Sequence, residues 1–158
     1  MTNTHTDLYD RDFFAWMQQQ AAAIRASDWE AIDRENLGEE IDNIVRHALG
    51  ELQQHLAKLL GCLLSWVYAP EGREAHPQWY VYALTRRLDI ETISDVWPRL
   101  AQAVATTLPQ AYAHGREVAS KETGLPLATF PETCPWTLEQ VLTATLHGPN
   151  SPFFGKPS

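Results

Sequence analysis

The strongest constraint in this 158-residue chain is a long stretch of apolar residues at helical spacing. Between Asp33 and Tyr68 they recur every three or four positions, which places them on one face of a helix. The members of this stripe are Leu37, Ile41, Ile44, Ala48, Leu52, Leu56, Leu59 and Leu63. An unbroken helix here would be roughly 50 Å long, and Gly50 is a position where it could bend. The stretch predicts one long amphipathic helix that organises the fold.

Helix signals also occupy the rest of the chain. A first helix is predicted over residues 8–26, with Trp16 at the edge of an apolar side formed by Tyr9, Phe13, Met17, Ala21 and Ile24. The capping-box pattern SDWE at 27–30 predicts a new helical turn.

The second half of the chain is divided by proline, glycine and capping residues. Pro77 predicts the first turn of a helix that reaches about Glu91, and Ser94 predicts the cap of the next. The segment TLPQ at 107–110 predicts another helix start, with Gly124 at its C-terminal end. TLEQ at 137–140 predicts a last helix to about Leu146.

These elements predict an all-α fold, a single-domain helical bundle of about five to six helices with short connections. The chain length fits one domain, and no alternating strand pattern or internal repeat competes with the helices. The domain is expected over residues 7–146, with loosely ordered tails at 1–6 and 147–158. Within the second tail, Phe153 and Phe154 are side chains that can dock on the domain.

Charge and cysteine content exclude several classes of function. The net charge of −8, with no run of Lys or Arg, argues against binding to nucleic acid. Cys62 and Cys134 show neither a disulfide framework nor a zinc-site spacing. The apolar-rich run at 59–69 is too short to span a bilayer, and the first residues lack a signal-peptide pattern. A cytoplasmic protein without membrane contact is therefore expected.

The segment WEAIDRENLGEEIDNI at 29–44 contains six carboxylates. Helical geometry directs Glu35, Glu39 and Asp42 away from the apolar stripe, so we interpret them as a solvated face. A second group of polar residues lies along one edge of the stripe, namely Asp33, Asn36, Glu40, His47, Glu51 and His55.

Four residues of that edge are candidates for a metal or acid/base site: Glu40, His47, Glu51 and His55. Imidazole and carboxylate groups at spacings of four residues can share a transition metal, as helical bundles do. The alternative interpretation is a boundary of polar side chains that form hydrogen bonds between helices. No second ligand motif completes a metal shell, so no cofactor is expected and a transition metal remains the alternative.

Aromatic residues surround the proline-rich connection after the long helix. Trp66, Tyr68, Arg73, Trp79 and Tyr82 are candidates for a protein interface or an aromatic-lined pocket. The alternative is that these rings close the end of the hydrophobic core. Nucleophilic catalysis has no support, because the sequence contains no nucleophile elbow or phosphate loop and Cys62 lies in an apolar run.

Four segments follow one another along the chain: DLYDRDFFAWMQQQAAAIR, WEAIDRENLGEEI, LLSWVYAPE and AYAHGREVASKETGLPLATFPETCPWTLEQVL. In this order they resemble the bacterial domain-of-unknown-function family 29. The resemblance extends to about residue 146 and implies a small helical protein without an assigned activity. Family members usually carry an Arg-rich segment where this chain keeps Arg73, Arg86 and Arg87, and commonly a serine at position 47 in place of His47. Both differences weaken an anion-binding or metal-binding interpretation.

Two functional hypotheses follow from the sequence. The first is a non-catalytic interaction protein, acting as a homo-oligomer or as a subunit of a complex, and it is favoured because no complete catalytic set can be assembled. The second is a metal-dependent or acid/base enzyme, or a small-molecule binder, that uses the edge of Glu40, His47, Glu51 and His55.

Overall fold

A computed structural model describes residues 4–146 and 151–153, and for residues 4–7 and 101 the backbone alone. All regular secondary structure in these residues is helical, which confirms the predicted all-α fold with about five to six helices and short connections. The helices are α1 (Thr4–Arg11), α2 (Phe13–Ala26), α3 (Arg34–Tyr68), α4 (Gln78–Val96), α5 (Pro98–Thr123) and α6 (Leu138–Thr143). Two short 3₁₀ turns occupy Pro70–Gly72 and Leu127–Thr129.

The chain divides into two compact units, residues 1–47 and residues 48–158. The predicted single domain over 7–146 stays a prediction. Of the predicted C-terminal tail, Phe153 is fully buried, with its ring centroid 5.1 Å from that of Trp136. Phe154, with the other residues of 1–3, 147–150 and 154–158, lies outside the described residues.

The first predicted helix is interrupted at Asp12, where α1 ends and α2 begins. The Asp12 carboxylate accepts a hydrogen bond from the Ala15 N–H at 3.0 Å and so caps the N-terminus of α2. The predicted helical turn at 27–30 is wrong, because Ser27 adopts a left-handed conformation (φ 57°) and terminates α2. Local capping chemistry therefore divides a segment whose apolar periodicity is continuous.

Two predicted helix starts in the second half, at Ser94 and at residues 107–110, are also wrong. Ser94 lies inside α4, and α5 continues through Pro109 as one helix. Thr107 and Ala111, on either side of this proline, are both buried, so packing outweighs the hydrogen bond that proline removes. Two other predicted boundaries are observed. Gly124 terminates α5 with φ 71°, and Thr137 caps the start of α6 through a capping box with Gln140.

The hydrophobic core of residues 48–158 is built around the second half of α3. Its fully buried α3 side chains include Leu52, Leu56, Leu59, Leu60, Leu63 and Leu64. At Gly115, an added Cβ atom would lie 3.0 Å from the Ala57 carbonyl oxygen and 3.2 Å from the Gly61 nitrogen. Helices α3 and α5 therefore approach each other with backbone against backbone, which requires glycine.

The predicted apolar stripe on α3 is buried from Leu52 onward, and before it Leu37 and Ala48 are partly buried, but Ile41 and Ile44 are not in the core. Ile41 and Ile44 are 55% and 53% exposed, whereas Leu52 is 1% exposed. In α2 the predicted inward face is likewise wrong. Its buried residues are Trp16, Gln20 and Ala23, while Phe13, Met17 and Ile24 are exposed.

The glycine crossing gives a first prediction. Gly115→Ala should lower the free energy of unfolding by about 1–3 kcal/mol, because its methyl group would collide with backbone atoms that cannot move aside. Gly38→Ala is the matched control, since no atom lies within 4 Å of an added Cβ there. It should instead stabilise α3 by about 0.5–1 kcal/mol. Urea denaturation measures both, and equal effects would contradict the close approach.

The divided stripe on α3 gives a second prediction. Leu52→Ala should cost about 2–5 kcal/mol, because it removes a fully buried side chain from the core. Ile41→Ala should change stability by less than about 0.5 kcal/mol, since its side chain is more than half exposed. Thermal unfolding of the two variants checks the difference, and a large loss for Ile41→Ala would place that residue in a core.

Candidate functional site

The structure does not bring the four predicted ligands Glu40, His47, Glu51 and His55 together. Glu40 lies in the first unit, where its Oε1 accepts hydrogen bonds from the Tyr9 hydroxyl at 2.5 Å and from the Asn43 amide at 3.3 Å. The hydrogen bond to Glu40 raises the pKa of Tyr9 to about 12, because the neutral phenol is the donor that the carboxylate needs. Glu40 thus holds α1 against α3.

His47 and Glu51 are both exposed. His47 shares an open groove of about 550 Å³ with Glu40, Asn43 and Arg46. Across residues 4–146 and 151–153, no group of three or more His, Cys, Asp or Glu side chains has a metal-binding arrangement.

His55, in the second unit, belongs to a three-residue network with Arg86 and Asp89 of α4. Its Nδ1 atom lies 3.1 Å from the Arg86 Nη1 atom and 3.1 Å from the Asp89 Oδ2 atom. The Arg86 and Asp89 side chains are themselves paired at 3.1 Å. Nδ1 accepts from Arg86 when it is unprotonated and donates to Asp89 when it is protonated. Either tautomer joins α3 to α4, which matches the alternative interpretation of this edge.

Asp33, the first residue of the predicted edge, is buried in the first unit with all its contacts within that unit. Its carboxylate accepts from the Asn36 amide at 2.7 Å and from the Trp16 indole N–H at 3.3 Å. The Asp33 backbone N–H donates to the Gln20 side-chain oxygen at 2.8 Å. These contacts explain why Trp16 and Gln20 form the buried face of α2, a feature that apolar periodicity does not reveal.

The aromatic candidates occupy several environments. Arg73 donates to the Trp66 carbonyl at 2.6 Å, and its guanidinium lies 5.0 Å from the centroid of the Trp66 ring. Trp79 is 4% exposed, stacks on His76 at 4.9 Å and covers Gly72. Tyr68 is buried against Phe130. The rings of Tyr68 and Trp79 are therefore interior, as expected of residues that close a core.

Tyr82 is half exposed and lines a cleft in the second unit that the sequence did not reveal as a whole. We call this feature the three-helix cleft. It has a volume of about 310 Å³ and is lined by Lys58 and Cys62 of α3, Tyr82 and Arg86 of α4, and Val118 and Glu122 of α5. Each helix contributes two residues spaced four apart, but the sequence alone does not show which pairs of different helices meet.

Cys62 is not an activated nucleophile in this cleft. Its thiol is 5% exposed, and burial raises its pKa to about 12, with a further increase from Glu122 and a smaller decrease from Arg86. A thiol with so high a pKa is almost entirely protonated at neutral pH. The cleft therefore offers charged and apolar binding groups but no thiolate chemistry.

A second feature is a set of exposed apolar side chains on one face of the N-terminal half of α3. Ile41, Ile44 and Val45 are 55%, 53% and 43% exposed. Their spacing of three and four residues places them side by side, and we call them the α3 apolar stripe. The sequence did predict one face for Ile41 and Ile44, but as part of the core.

The fold and these features define a small all-α protein with a charged cleft and an exposed apolar helix face. The chain belongs to the family described as domain of unknown function DUF29, which matches residues 8–146 and confirms the resemblance found in the sequence. No curated protein and no solved structure matches the chain. Over the described residues, no helix is long and apolar enough to cross a membrane.

The contact between Tyr9 and Glu40 gives a third prediction. Glu40→Gln should move the pKa of Tyr9 from about 12 toward its ordinary value of 10.0, because the carboxylate no longer opposes phenolate formation. Because folding raises the pKa of Tyr9, its contact with Glu40 stabilises the folded protein fully below pH 10. This stabilisation is lost as the pH rises through 12. Tyrosine-labelled NMR titration measures the shift, and an unchanged Tyr9 in the variant would contradict the assignment.

Proposed function

We propose that this chain is a non-catalytic interaction protein that binds a protein partner through the α3 apolar stripe. The observation that carries the proposal is the change in burial along one helix. Ile41 and Ile44 are more than half exposed, whereas Leu52 and Leu56, about two to four turns later, are fully buried. Single exposed apolar residues are ordinary, but adjacent ones on one helix face are typical of a docking surface.

Charge identifies the kind of partner that fits the α3 apolar stripe. The carboxylates of Glu35, Glu39 and Asp42 are exposed on the same half of α3, on the faces that point away from the stripe. Residues 1–47 contain ten acidic and four basic side chains, a net charge of −6 out of the −8 of the whole chain. A second copy of the same surface would meet like charges. The fitting partner is therefore an amphipathic helix with apolar residues flanked by Lys or Arg.

A second candidate function is self-association through α4. Val81, Leu84 and Leu88 are 56%, 39% and 62% exposed at spacings of three and four residues. Helix α4 carries two arginines and three acidic residues, so two copies would repel each other little. This observation supports a homo-oligomer whose interface is separate from the α3 apolar stripe.

The proposed setting is the bacterial cytoplasm. Both cysteines, Cys62 and Cys134, are free thiols, as is usual where the redox environment is reducing. The acidic charge gives no support for a nucleic-acid partner, because phosphate groups would be repelled.

The fourth prediction concerns a synthetic amphipathic peptide of Leu and Lys as the probe of the α3 apolar stripe. Fluorescence anisotropy should show that the peptide binds to the wild-type protein. The Ile41→Ser/Ile44→Ser variant should bind the peptide at least about ten-fold more weakly. Higher salt should weaken binding, because the acidic side chains of residues 1–47 contribute. A peptide of Leu and Glu should bind poorly.

The matched control is Val81→Ser/Leu88→Ser, which removes equally exposed side chains from α4. It should leave the affinity for the Leu/Lys peptide unchanged. Equal losses in both double variants would contradict a specific site on α3. Sedimentation of the same proteins tests the second candidate, since a monomeric wild type at all concentrations would show that α4 is not a self-association surface.

A further inference from the structure

The positions of the charged side chains along the three-helix cleft follow from the contacts between α3 and α4. His55 meets Arg86, and Trp66 meets Tyr80 with ring centroids 6.2 Å apart. The later residue of α3 thus pairs with the earlier residue of α4, so the two helices run antiparallel. The same register places Lys58 opposite Arg86 and Cys62 opposite Tyr82. Two cationic side chains therefore share one end of the cleft.

The carboxylate of Glu122 belongs to the other end of the three-helix cleft. Burial raises the pKa of Glu122, while a hydrogen bond from the Trp79 side chain and the charge of His76 lower it. Trp79 lies almost one helical turn before Tyr82 on α4, on the side away from Arg86. Glu122 is exposed as a residue, so its carboxylate is both oriented by Trp79 and accessible to a ligand.

The wall between the two charged ends is apolar and uncharged. Cys62 is a buried, protonated thiol, and Val118 is half-buried beside it. Val118 cannot move closer to α3 because it already packs against Gly61, where an added Cβ atom would lie 2.7 Å from Val118 Cγ1. The cleft is thus kept open along a fixed apolar surface about one helical turn long.

The cationic end is also positioned in advance. Arg86 is held by His55 and Asp89 through contacts of 3.1 Å, which fix the guanidinium before any ligand arrives. Lys58 is exposed at the mouth of the cleft, and no polar contact to its ammonium group occurs among the described residues. The pair can therefore bind a carboxylate, with Arg86 as the rigid donor and Lys58 as the adjustable one.

We propose that the three-helix cleft binds a small zwitterion, an amino acid whose ammonium and carboxylate groups are separated by a short aliphatic chain. The carboxylate binds Lys58 and Arg86, the ammonium binds Glu122, and the aliphatic chain lies on Cys62 and Val118. Trp79, which binds Glu122, lies seven residues before Arg86 on α4, so the two charged ends are roughly 10 Å apart along the helices at the backbone, and the long side chains of Lys58 and Arg86 span part of this distance. This site is independent of the proposed docking surface on α3.

The fifth prediction uses γ-aminobutyrate as the probe, with butyrate and butylamine as compounds that carry one charge each. Isothermal titration calorimetry on the full chain should show that γ-aminobutyrate binds about ten-fold tighter or more than either of them, because it contacts both ends of the cleft. Equal affinities for the three compounds, or no measurable heat with any of them, would overturn the proposal.

Two substitutions test the assignment of the ends. Lys58→Met should reduce the affinity for γ-aminobutyrate toward that for butylamine, with Arg86 retaining part of the carboxylate binding, and Glu122→Gln should reduce it to about that for butyrate. Both residues are exposed, so folding should be preserved, and circular dichroism and the melting temperature confirm it. Lys121→Met and Glu117→Gln are matched controls on α5 outside the cleft. Equal losses in the controls would show that only net charge matters and overturn the site.

Discussion

The close approach of α3 and α5 at Gly61 and Gly115 is the contact on which the second unit depends. An added Cβ atom would meet the Val118 side chain at Gly61, and Leu60 Cβ and the Ala57 carbonyl oxygen at Gly115, so neither glycine can be replaced without a shift of neighbouring atoms. Cys62, directly after Gly61, and Val118, three residues after Gly115, become neighbouring parts of one wall. The distance between the helices thus fixes the width of the three-helix cleft as well as the packing of the leucine core.

The two units are stabilised by different kinds of interaction. Residues 48–158 contain a large apolar core in which α3 supplies most of the buried leucines. Residues 1–47 are organised around the buried Asp33 carboxylate, which accepts from Trp16 and Asn36, and around the contact of Tyr9 with Glu40. Polar hydrogen bonds of this kind orient helices while leaving apolar side chains available elsewhere. This is why Phe13, Met17 and Ile41 can be exposed on helices that are nonetheless well formed.

The placement of charge separates the two proposed roles. Residues 1–47 combine an acidic excess with an exposed apolar stripe, and this combination favours a basic protein partner. The three-helix cleft instead combines Lys58 and Arg86 with Glu122, a balance that favours a small molecule with charges of both signs. One chain can therefore carry a docking surface and a ligand site, because each uses a different unit and different side chains.

The sequence by itself determined the helical class, the long α3, the caps at Gly124 and Thr137, and the membership of the DUF29 family. These features depend on the spacing of nearby residues and on motifs along the chain. The sequence did not determine which part of the α3 stripe is buried, because Ile41 and Leu52 have the same helical periodicity and differ only in their distant neighbours. Tertiary structure also decided that Glu40 contacts Tyr9 while His55 contacts Arg86 and Asp89, although one helix edge carries both residues. It likewise brought Lys58, Arg86 and Glu122 to one cleft. Contacts between different helices depend on the distance between their backbones, and the spacing of residues along one helix contains no information about that distance.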